Sequence, residues 1–73
     1  MKKTVRYNIV LIEECFGEIL SEKLYKSYRN PNLAMRIRDF IQDRVIDRDK
    51  KVKANDGSEC FYDFARVEVE WKN

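Results

Sequence analysis

At 73 residues, with 44% hydrophobic and 38% charged residues, the chain is long enough for one small domain spanning residues 1–73, and its composition is globular rather than disordered or fibrous. Net charge is +2, from 15 Lys and Arg against 13 Asp and Glu, too balanced to imply a polyanion partner from bulk charge alone. No apolar run approaches the ~20 residues of a membrane span, and Met1–Thr4 followed by Val5–Ile12 lacks the small-residue cleavage site of a signal peptide, so a cytoplasmic protein with no membrane partner is expected.

Lys3 to Ile12 reads as a strand. Val5, Tyr7, Ile9 and Leu11 make one face; Arg6, Asn8, Val10 and Ile12 make the other, which turns apolar at its C-terminal end. That suits an inner strand covered on both sides there. Phe16 to Arg29 reads as a helix, because Phe16, Ile19, Leu20, Leu24 and Tyr28 keep i, i+3, i+4 spacing and Glu22 precedes Lys26 by one turn. Its start is poorly marked: only Gly17 offers itself as a cap. Asn30-Pro31-Asn32 ends it, since proline disfavours helical geometry in the residue before it.

Asn32 is expected to cap a second helix running to Asp47 or Arg48. Leu33, Ala34, Ile37, Phe40, Ile41 and Val45 fall within an arc of about 140° at 100° per residue. Asp47 to Lys53 is an exposed charged connection leading into a short strand, Lys51 to Ala54. Asn55-Asp56-Gly57 is a hairpin turn of residues that tolerate positive φ. Glu59 to Trp71 closes the chain as a strand whose first half, Cys60, Phe61, Tyr62 and Phe64, is apolar on both faces and whose second half alternates. The expected fold is therefore α+β, a two-layer sandwich in β-α-α-β-β order, with a helical hairpin packed on a small, largely antiparallel three-stranded sheet.

Chemistry is sparse. There is no histidine, so the commonest general base at neutral pH is missing, and a Cys/His zinc site would find only Cys15 and Cys60. Gly17 and Gly57 are too far apart for a phosphate loop. Adjacent acids such as Glu13-Glu14 read as solvated surface, and the two cysteines as buried, reduced thiols. No catalytic residue, cofactor or metal is expected, and no enzyme.

Binding is the remaining class. If the helices cover one sheet face, the apolar end of the other face needs a partner. Val10, Ile12, Tyr62 and Phe64, with Arg66 at the rim, form that expected interface; Met35 and Ile46, outside the dry arc of the second helix, extend it. A core this small supplies only ~3–5 kcal/mol net, so self-association is an attractive staple. The expected function is a non-catalytic protein-binding module, a small regulator, inhibitor or adaptor whose partner is a second copy, a host protein, or both. Its short, charged, single-domain style is that of accessory proteins of phages and mobile elements. The alternative is nucleic-acid binding through a basic hairpin arm carrying Arg48, Lys50, Lys51 and Lys53, joined by Lys2, Lys3 and Arg6, with Tyr25 or Tyr62 stacking on bases.

Overall fold

A computed structural model describes residues 5–71. Lys2 and Lys3 lie outside them. The elements run β1 (Val5–Cys15), β2 (Glu18–Tyr28), α1 (Pro31–Arg44), a 3-10 turn (Ile46–Arg48), β3 (Val52–Lys53), β4 (Glu59–Cys60) and β5 (Phe64–Trp71). The α+β class holds, with one helix on a three-stranded antiparallel sheet of order β2-β1-β5; β3 and β4 form a separate two-stranded ribbon.

The expected first helix is a strand instead. Phe16 (φ 52) and Gly17 (φ 79) both take positive φ, and Cys15 pairs with Glu18, so a two-residue turn of the type I′ kind folds β2 back along β1. Two irregularities disguise β2 in the sequence. Opposite β1 the register slips at Glu13/Glu14 and at Ile9/Val10, which leaves Leu20 and Tyr25 as extra residues in β2. Each slip breaks the period of two, and the remainder mimics a helical stripe. Tertiary demand decides the outcome. Ile9, Val10, Leu11 and Ile12 are four consecutive buried residues, as in a strand hydrogen-bonded on both edges and covered on both faces.

The helix α1 starts two residues earlier than expected and ends at Arg44, short of the expected Asp47 or Arg48. Asn30, not Asn32, is its cap: the Asn30 Oδ1 accepts from the Asn32 and Leu33 amides at 2.9 and 3.2 Å, and Pro31 takes the first helical position, where its missing N–H is not needed. Ala34 and Ile41 are buried against the sheet, with Ile37 and Val45 half-buried beside them, whereas Leu33 and Phe40 of the expected dry arc remain exposed. The last strand also divides. Between β4 and β5 the chain bends so that Tyr62 turns into the core while Phe61 turns out. The bend is pinned to β1 by Asp63, whose amide donates to the Ile12 carbonyl at 2.8 Å and whose Oδ2 accepts the Glu14 amide at 2.7 Å.

One core results. Ile9 and Leu11 from β1, Ala65 from β5, Ile41 from α1, Ile46 from the 3-10 turn, and Val52, Ala54 and Tyr62 pack together, with Tyr25, Tyr28 and Val67 at the margin. Val10 and Ile12, on the reverse sheet face, lie outside the core that α1 joins, and among the described residues there is no second α-helix to cover them. The register places Leu24 and Arg66 beside Val10, and Glu22 and Phe64 beside Ile12. Arg66 spans β1 to reach Glu22 at 3.6 Å and holds Glu68 at 2.6 Å. Long side chains of the flanking strands thus roof the short branched ones of the centre, which leaves Ile12 at 0% exposure.

Candidate protein-binding arm and lysine-lined groove

Most of the interface expected from the sequence is internal. Val10, Ile12, Tyr62 and Ile46 are buried within their own chain, Phe64 and Arg66 are half-buried in the roof just described, and only Met35 stands exposed. The physical reason is the extra strand: β2, where a helix is expected, brings Leu24 and Glu22 alongside the centre of the sheet, and the break before β5 sends Tyr62 to the helix side. Tyr62 is 7% exposed and its hydroxyl has no hydrogen-bond partner among the described residues; burial raises its pKa.

The exposed apolar surface lies elsewhere. Beyond the body of the domain, β1 and β2 continue as a two-stranded arm in which residues 13–20 are all exposed. The arm accounts for the elongated outline, 41 × 23 × 23 Å. At its tip Phe16 is fully exposed, at 103%, and Ile19 and Leu20 follow it. From Glu13 to Glu22 there are four carboxylates, Glu13, Glu14, Glu18 and Glu22, and no lysine or arginine. Glu22 is engaged by Arg66, but among the described residues no cation pairs with Glu13, Glu14 or Glu18. Cys15, also in the arm, and Cys60 are free and exposed, not buried.

The basic residues assemble at the other end of β2. An open groove of about 410 Å³ runs between β2, the end of α1 and β3. Ile41, Val45, Val52 and Ala54 supply its apolar lining, and Tyr25, Lys26, Lys51 and Lys53 its rim. Lys26 lies over the Tyr25 ring at 5.7 Å and Lys51 over Phe61 at 5.6 Å. Among the described residues none of the three lysines has a carboxylate partner. Of the basic quartet singled out from sequence, the groove gathers Lys51 and Lys53; Arg48 and Lys50 are exposed but do not line it. Lys26 joins Lys51 and Lys53 because its segment, expected as a helix, is the strand β2 that borders the groove.

A short network locks the groove's outer wall in place. The Asn55 amide donates to the Leu24 carbonyl at 2.8 Å, and Lys23 Nζ meets Asp56 Oδ2 at 2.8 Å. Asp56 Oδ1 also accepts the Ser58 amide and hydroxyl, at 2.9 and 2.6 Å. The bond from Lys23, then those from Ser58, hold the Asp56 carboxyl well below the usual carboxylate range, and Asp56 in turn raises Lys23 above its ordinary value. The signs bracket a window. A depressed carboxyl contributes stability above its unfolded pKa and loses it only as pH falls through the lower folded value. A raised lysine contributes below its unfolded pKa and loses it as pH rises through the higher folded one. The wall is therefore expected to hold at mildly acid pH. In an NMR titration the Asp56 carboxyl should have its midpoint below that of ordinary surface carboxyls, and Lys23→Met should move that midpoint upward; an ordinary midpoint in the native chain would contradict the network.

Among the described residues no group of three or more His, Cys, Asp or Glu side chains is placed to hold a metal ion, and no helix is long and apolar enough to cross a membrane. Comparison of the chain with protein-family models, with curated proteins and with solved structures gives no match.

Proposed function

We propose that the chain is a non-catalytic protein-binding module of the cytoplasm, a small regulator, inhibitor or adaptor that engages its partner through the β1–β2 arm. The observation that carries this reading is Phe16. A bulky aromatic at positive φ costs about 1–2 kcal/mol of backbone strain, and a fully exposed phenyl ring returns nothing to the fold. Asn-Gly is the pair that such a turn favours. A phenyl ring there, at a local cost and flanked by carboxylates that pair with no cation among the described residues, suits insertion into an apolar pocket rimmed by basic groups.

The test separates the ring from the turn. Phe16→Asn keeps the turn chemistry and deletes the ring. The variant is expected to fold at least as stably as the native chain by circular dichroism and chemical denaturation. With a photoreactive phenylalanine analogue at position 16, the folded chain should cross-link a protein partner in cell extract, and excess native chain should compete for it whereas excess Phe16→Asn should not. Equal competition by both would end the reading.

The groove supports a second reading. Tyr25 with Lys26, Lys51 and Lys53 is the pairing of a stacking ring and cations that single-stranded nucleic acid uses. Binding of that kind would weaken steeply with added salt, in proportion to the phosphates contacted.

A further inference from the structure

We infer that the lysine-lined groove is the docking site for the arm tip of a second copy of this chain. The inference rests on the arm being the binding element, and it names that element's partner.

The two surfaces match in charge, in shape and in what each lacks. Among the described residues the tip carries Glu13, Glu14 and Glu18 without cations, and the groove carries Lys26, Lys51 and Lys53 without carboxylates. The tip ends in an exposed phenyl ring, and the groove has an apolar lining of Ile41, Val45, Val52 and Ala54 in a volume able to accept one aromatic side chain. The tip cannot serve its own groove. Glu18 pairs with Cys15 and Lys26 with Ile9, six steps along β1 or about 20 Å at ~3.3 Å per residue, and the arm is a hydrogen-bonded ribbon that does not fold back on itself.

Placement on a common strand also decides the symmetry. A two-fold axis passing outside the sheet edge formed by β2, level with the middle of that strand, carries each tip toward the other copy's groove, so two contacts form at once and the assembly closes as a dimer instead of growing into a fibre. Continuous strand pairing across that axis is disfavoured, because Leu20 and Tyr25 are bulge residues and Asn55 already occupies the Leu24 carbonyl. The contact is therefore one of side chains, an aromatic anchor ringed by exposed ion pairs, and it should loosen as salt screens them.

Charge exchange tests it on the full-length chain. Light scattering and sedimentation should give twice the 8.8 kDa chain mass at high concentration. Reversing the tip (Glu14→Lys with Glu18→Lys) or the groove (Lys51→Glu with Lys53→Glu) should weaken the dimer about tenfold or more, as should Phe16→Asn, all with native dichroism. Mixing the two reversed chains restores complementarity at both contacts and should restore the dimer, with heterodimers seen by mass spectrometry. A native chain that is monomeric at every concentration overturns the inference. So does a dimer indifferent to both reversals, or a failure of the mixture to reassociate. A groove reversal that abolishes oligonucleotide binding but leaves chain mass unchanged assigns the groove to nucleic acid and likewise overturns it. A monomeric native chain whose position-16 analogue still cross-links another protein would sink self-docking alone; a dimer with no cross-linked partner besides itself would sink the regulator reading alone.

Discussion

Tyr62→Ala is expected to unfold the protein at room temperature. Replacing a buried aromatic by alanine costs about 3–5 kcal/mol, since transfer energy and cavity energy add. The net stability available to a domain of this size is of the same order. Tyr62 sits in the single core with Ile46, Val52 and Ala54, so no second cluster compensates. Tyr62→Phe is the control. It retains the ring and removes a hydroxyl that lacks a partner among the described residues, so stability should be equal or higher. Urea denaturation followed by far-UV dichroism reads both. A folded Tyr62→Ala chain of near-native stability would mean that this side chain faces outward, and would revive an adhesive surface there.

The second large effect is expected at the free side of β5. Ala65 is fully buried, yet its amide and carbonyl point away from β1. Two helix side chains take the place of a fourth strand: Gln42 Oε1 accepts the Ala65 amide at 2.9 Å, and Arg38 Nε donates to the Ala65 carbonyl at 2.7 Å. Replacing both with leucine leaves two buried backbone groups unsatisfied, at about 1–3 kcal/mol each. It also uncovers a strand edge, a template for unwanted pairing. The double variant Arg38→Leu/Gln42→Leu should lose most of the native stability and aggregate on concentration. Asp47→Ala, which removes only the second hydrogen bond of Gln42, should be nearly silent in the same denaturation series. Comparable losses in the two would show that the contacts to Ala65 contribute little.

Different parts of this fold were legible to different degrees, for identifiable reasons. The helix over residues 31–44 has a long apolar stripe that reveals it, although it is capped two residues before the expected Asn32 and gives way to a 3-10 turn at Ile46 instead of running on to Asp47 or Arg48. The first and last strands are legible because their ends alternate. The two-faced stretch of the first strand signals an inner, doubly covered region, but not what covers it, whereas that of the last strand is broken by a bend that leaves Cys60 and Phe61 exposed. The cover is local: Arg66, Glu22, Leu24 and Phe64 from the neighbouring strands. The strand over 18–28 was illegible because bulges at Leu20 and Tyr25 erase the alternation, and the only plain clue was Gly17 standing uncapped where a helix should begin. That one misreading displaced the binding surface. It hid Lys26 from the basic cluster and moved Phe16 from a presumed dry helix face to the apex of an arm.

The arm has a further consequence for motion. Its root is anchored by Ile9 to Ile12 inside the domain, whereas among the described residues its apex is tied down only by its own ladder and by the Glu14 contact to Asp63. Amide protection should therefore fall off along the ribbon, with residues near Phe16 opening far more often than the domain unfolds. A partner would meet a probe fixed in direction but supple at its end, able to adjust the ring within a pocket while losing little order elsewhere.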